Sequence, residues 1–155
     1  MGLDIYLEAR RESYKSKYSK EGMCEYPEEL KEFLPQVSLP YESTVTKYCI
    51  GYWRKANAIH SWFINHCADG VDECQQIPVG LEDLTNLRHT CKRVLADPEL
   101  AKKELATTSG FFFGSEEYDD YYRAALLYTC GVLDKAIKLL KEHGDTYQII
   151  YQASW

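Results

Sequence analysis

Two short segments, one near each end of the chain, constrain the fold more than anything between them. Near the start, Leu3, Ile5 and Leu7 alternate with Asp4, Tyr6 and Glu8; near the other end, Tyr147, Ile149 and Tyr151 alternate with Gln148, Ile150 and Gln152. A period of two places one side of each segment in a core and the other toward water, which is the signature of a half-buried strand. Strands at both ends with helical periodicity between them predict that the first and last strands are neighbours. The expected class is α+β: a small, mainly antiparallel sheet covered by two or three helices. At 155 residues the prior is a single domain, 1–155, long enough to bury a core without disulfide or metal staples.

Between the ends the pattern changes several times. From about residue 10 to 40 it dissolves into Lys, Glu, Ser and Tyr broken by Pro27, Pro35 and Pro40. This predicts an irregular segment with one short helix beginning at Pro27. Thr44 to Tyr52, rich in β-branched and aromatic residues, reads as a strand. A helix is expected from about Trp53 to Ala68, with Ala56, Ile59, Phe63 and Cys67 at the centre of its apolar arc and a stop at Asp69-Gly70. Gln75 to Val79 reads as an edge strand because Pro78 cannot donate to a ladder. Leu81 to Leu95 is amphipathic, and Asp97-Pro98 reads as the cap and first residue of a brief helix to Leu105. Ser115 is the expected N-cap of a long helix to about Glu142, with Tyr118, Tyr122, Leu126, Thr129, Leu133, Ala136 and Leu140 in one stripe.

Composition removes several classes of function. Eighteen basic and 24 acidic side chains leave a formal charge of −6, which argues against a duplex-binding protein that works by broad phosphate neutralisation. No apolar run approaches the roughly 20 residues of a membrane span. The cysteines at 24, 49, 67, 74, 91 and 130 are scattered, and the N-terminus lacks a basic-then-apolar leader, so a cytoplasmic, reducing setting is expected. His60, His66, Cys67, Cys74, His89 and Cys91 show no paired spacing of metal ligands, so no metal and no cofactor is expected. Phosphate-binding, dinucleotide-binding, nucleophile-elbow and zinc-protease motifs are absent.

What remains is a set of side chains suited to holding a ligand. Trp53 offers an aromatic plate, and Arg54 and Lys55 supply cations for phosphate. Asn57 and His60 can fix polar edges. His60 fits a general base as well as a hydrogen-bonded core histidine. In Gly110-Phe-Phe-Phe-Gly-Ser115 three adjacent Phe cannot all face one core. Phe112 is therefore a candidate for stacking, and Ser115 for a phosphate at a helix start. Tyr122 completes this ligand-binding set. Asp119, at the margin of the long helix's stripe, is placed to pair with Arg54 or His60. Asp69-Gly-Val-Asp72-Glu73 lacks the spacing of a calcium loop and reads as a turn that ends a helix.

Five blocks of the chain carry a resemblance. Trp53-Arg-Lys-Ala-Asn-Ala-Ile-His60-Ser-Trp-Phe63, Asp69-Gly-Val-Asp72, Gly110-Phe-Phe-Phe-Gly-Ser115, Tyr118-Asp-Asp-Tyr-Tyr122 and Tyr151-Gln-Ala-Ser-Trp155 are similar to blocks of a family of small uncharacterised phage and bacterial proteins. The likeness covers most of the chain after about Tyr48. Members sometimes carry an automatic phosphoglycerate-kinase label, which does not fit, because that kinase is a much longer, two-lobed enzyme. The resemblance implies a phage setting, where small proteins without catalytic motifs often counter host defences. The leading expectation is an oligomeric protein in the host cytosol that sequesters a nucleotide-derived defence signal without turnover. One alternative is a small hydrolase using His60 and Asp119. Another is an inhibitor that docks on a host protein through an acidic, tyrosine-rich surface including Tyr14, Tyr18 and Tyr26.

Overall fold

The computed structural model describes residues 2–16 and 41–155. In chain order the elements are β1 (Asp4–Ser16), β2 (Tyr41–Arg54), α1 (Asn57–Cys67), β3 (Ile77–Val79), α2 (Leu81–Ala96), a 3-10 turn at Pro98–Leu100 leading into α3 (Ala101–Glu104), α4 (Asp120–His143) and β4 (Gln148–Ser154). The strands form an antiparallel sheet in the order β2-β1-β4-β3, so the first and last strands are central and adjacent, as their shared alternation predicts. Their register runs from Asp4 opposite Ser154 to Arg10 opposite Gln148.

That register aligns the two buried faces. Leu3, Ile5, Leu7 and Ala9 are buried, and the last three stand opposite Ala153, Tyr151 and Ile149. Ile77 and Val79 of β3 extend the same face opposite Tyr151 and Ile149. Pro78 falls on an edge strand, where its missing N–H costs no ladder bond. Against this face pack Ile59 and Phe63 of α1, Leu84, Leu87, Cys91 and Val94 of α2, and Leu126, Leu133 and Ala136 of α4. Helices α2 and α4 run antiparallel, with Arg88 paired to Asp134 near their middles and Leu95 and Leu126 lining one cleft about two turns along. All of this lies in a compact unit of residues 1–10 and 47–155; residues 11–46 form a second unit, in which 11–16 and 41–46 are strand. No helix among the described residues is long and apolar enough to cross a membrane.

Three boundaries differ from the sequence expectation. First, β1 continues to Ser16, so Arg10–Ser16 is strand and not part of an irregular segment at 10–40; the helix expected at Pro27 lies outside the described residues. Second, α1 starts at Asn57, and Trp53 and Arg54 end β2. Lys55 donates its N–H to the Leu3 carbonyl at 2.7 Å and adopts a left-handed backbone (φ 56), which separates strand from helix. Third, α4 starts at Asp120 and is capped by Asp119, whose carboxylate accepts from the Tyr122 N–H at 3.0 Å. Ser115 instead closes a small turn, its hydroxyl accepting from the Glu117 N–H. The turn at Asp69-Gly70 ends α1 as expected, with the Gly70 N–H bonded back to the Ile64 carbonyl.

Candidate ligand-binding site

Helix α1 delivers His60 into the interior, where the ring is 1% exposed and both nitrogens are engaged. Nε2 lies 2.9 Å from Asp72 Oδ2, and Nδ1 lies 2.6 Å from the Tyr151 hydroxyl. With the imidazole as the Nε2–H tautomer, Nε2–H donates to the Asp72 carboxylate and Nδ1 accepts the phenol proton of Tyr151. The second oxygen of Asp72 accepts from the indole N–H of Trp155 at 3.2 Å. Phe113 meets the imidazole edge-on with ring centres 5.2 Å apart, and Phe63 stacks on Tyr151 at 4.3 Å. Burial, and then the Asp72 charge, push the Tyr151 phenol well above its ordinary pKa. A carboxylate–imidazole–hydroxyl chain has the form of an activated nucleophile. Here the hydroxyl lies on the core face of β4, out of a substrate's reach.

Trp53 and Asn57 are committed to the interior as well. Trp53 is 3% exposed, its indole donates to Thr129 Oγ1 at 2.8 Å, and Tyr128 packs edge-on against it. Asn57 donates to the carbonyls of Phe113 (3.1 Å) and Ser115 (2.9 Å) and accepts from the Thr108 N–H (3.2 Å), clamping the 108–115 loop onto α1. Tyr122 is half-buried and donates to the Leu105 carbonyl at 2.8 Å. Asp119 caps α4 and pairs with neither His60 nor Arg54; the partner of His60 is Asp72. The pairing expected for Asp119 with His60 or Arg54 is therefore corrected, because its carboxylate caps α4, while Trp53, Asn57 and His60 spend their polar atoms on partners within the fold.

Arg54, Lys55 and the triplet remain at the surface. Phe111 is 95% exposed, Phe112 is partly covered and accepts the Leu3 N–H at its carbonyl, and Phe113 turns inward to His60. Gly114 follows with φ 88, and a Cβ there would lie 2.9 Å from that of Lys55, so only glycine fits the return of the loop. The Arg54 guanidinium lies 3.4 Å from Asp4, whose same oxygen accepts the Tyr52 hydroxyl at 2.5 Å. That bond to a carboxylate raises the Tyr52 pKa.

Beside these cations the first turns of α4 approach the outer edge of β2. Tyr121 donates its hydroxyl to the Arg54 carbonyl, and the Tyr128 hydroxyl accepts the Tyr52 N–H at 3.2 Å. Two tyrosines seven residues apart, about 10 Å along a helix, thus tie α4 to the edge strand. Between them lies an open hollow of about 190 Å³, lined by Tyr52, Trp53, Arg54 and Ala56 on one side and Tyr121, Ala124, Ala125 and Tyr128 on the other. The alanines leave room where larger side chains would close it. Across Tyr121, Lys55, Ser115, Asp119 and Tyr122 line a narrow cleft of about 20 Å³, room for little more than one water.

The structure therefore keeps Arg54 at a hollow and Lys55 beside it, leaves the largely buried Trp53 along one wall of that hollow, and commits the polar atoms of Trp53, Asn57 and His60 to partners inside the fold. Sequence reasoning missed Tyr121 and Tyr128. Their signal was two exposed tyrosines at i and i+7, off the apolar stripe. Asp72 had no such signal. The chain matches no known family model, no curated protein and no solved structure.

Proposed function

We propose that the protein binds a small nucleotide-like ligand in the hollow between the edge of β2 and α4 and holds it without turnover. The observation that carries this reading is the pair Tyr121 and Tyr128, both about half exposed, standing either side of an alanine-floored gap with the Arg54 guanidinium at its margin. A planar ring entering the gap gains aromatic contact, and a phosphate beside it meets Arg54 and Lys55. Arg54 shares its charge with Asp4, so ring contact supplies most of the affinity and phosphate contact the selectivity. The engagement of both His60 nitrogens inside the core supports binding over chemistry. On the resemblance to phage proteins, the ligand is a nucleotide-derived signal of host defence.

Titration calorimetry against mononucleotides, ADP-ribose and cyclic dinucleotides tests the reading. Binding of one of these is expected, with the nucleotide recovered intact after heat denaturation. A124F fills the hollow from the solvent side and abolishes binding while leaving stability within about 0.5 kcal/mol. R54A weakens a phosphorylated ligand about tenfold and its nucleoside little, as loss of one charge-assisted contact of about 1.5 kcal/mol requires. Binding unchanged in A124F, or recovery of a chemically altered nucleotide, overturns it.

A further inference from the structure

We propose that Cys91 and Cys130 form a peroxide-oxidisable thiol pair, with Cys130 the attacking and Cys91 the resolving sulfur, that closes into a disulfide between α2 and α4. The antiparallel register of the two helices sets the pair face to face. Arg88 bonds Asp134 one turn to one side, and Leu95 and Leu126 share a cleft one turn to the other. Cys91 and Cys130 occupy the level between, each within about one turn of those flanking contacts on its own helix. Cys91 is fully buried on the core face of α2, and Cys130 is partly exposed. Their setting is asymmetric. The neighbouring Cys91 thiol, with the positive charges of Lys92 and Arg88, outweighs burial and Asp134, so the Cys130 thiol is lowered to about 7. Cys91 is correspondingly raised by the Cys130 neighbour and by burial. Cys67, covered without such neighbours, is pushed up to about 12.

A thiolate is the form that attacks peroxide, and a reachable, low-pKa sulfur beside a second thiol is the arrangement of a redox-sensing pair. The Cys130 thiolate attacks one peroxide oxygen, the O–O bond breaks, and the departing oxygen takes a proton to leave as water. The Cys91 sulfur then attacks the sulfenic sulfur, the S–O bond breaks, and the hydroxyl leaves with the Cys91 proton as a second water. Two thiols lose two electrons to one peroxide. The product joins the helices next to a 260 Å³ cleft lined by Leu95, Pro98, Tyr122 and Leu126, fixing its walls.

The test is peptide mapping of the full chain after hydrogen peroxide treatment and alkylation under denaturing conditions. The expected result is a peptide linking Cys91 to Cys130 and a mass lower by two hydrogens, about 2 Da. In C91S the Cys130 sulfenic acid persists and is captured by dimedone, and in C130S the link is absent. Before oxidation, iodoacetamide at pH 7 modifies Cys130 at least about tenfold faster than Cys91. A treated wild-type chain without the 91–130 link, or equal alkylation of the two thiols, overturns the proposal and needs neither variant to fold.

Discussion

Asp72 joins two ring N–H donors, those of His60 and Trp155, and His60 passes the chain on to the Tyr151 hydroxyl. Removing that hydroxyl keeps the stacked ring but leaves Nδ1 of His60 unpaired in the core. Y151F is therefore expected to cost about 1–3 kcal/mol at neutral pH, measured by denaturant unfolding. Its effect also has a pH signature. The folded state holds the Tyr151 proton well above the ordinary value near 10, so the unfolded chain loses that proton first. Stability from this group is intact below about pH 10 and falls as pH rises beyond it. The alkaline decline is expected to be shallower in Y151F than in the parent. At this scale the sequence was legible only in part. Helical angles put His60 on an apolar side, and the type of residue suggested a ligand contact. What decided its role was a hydroxyl 91 residues away, as Thr129, 76 residues away, decided that of Trp53. Spacing along one element cannot reveal partners supplied by another.

The elements themselves were more readable, because their periodicity is local. Each strand and helix expected within the described residues is present, and the errors fall where a single residue changes direction. The left-handed turn at Lys55 moved the start of α1 to Asn57. The cap moved from Ser115 to Asp119 because Asn57 holds the carbonyls of Phe113 and Ser115 and keeps the intervening chain out of the helix. Both Ser115 and Asp119 are good capping types, and the sequence does not say which will be free to cap. This choice is testable. D119A is expected to destabilise by about 0.5–2 kcal/mol through the lost Tyr122 N–H bond. S115A, whose hydroxyl serves only an exposed turn, is expected to stay within about 0.5 kcal/mol, both read from thermal melts.

For the whole molecule, the alternation at the two ends was enough to place β1 beside β4, and the helices then had only one apolar face to cover. The extent of β1 beyond Ala9 was not legible, since its side chains lose the alternation that marks a half-buried strand. The central position of β1 and β4 predicts where stability is highest. Amides at 5–9 and 149–153 are expected to exchange hydrogen only through global unfolding, while those of α3 and the 107–118 loop exchange by local opening. Mass-resolved exchange of the folded protein reads this directly.

Placing β4 between β1 and β3 also orders events on the ribosome. Until residues 148–154 emerge, β1 and β3 each face an empty lane, and Ile5, Leu7 and Ala9 lack the strand that stands opposite them. β1 must wait for β4 before the middle of the sheet exists. A translation product halted at residue 147 would carry two unsatisfied strand edges flanking one gap, the form most apt to recruit a stray strand from another molecule.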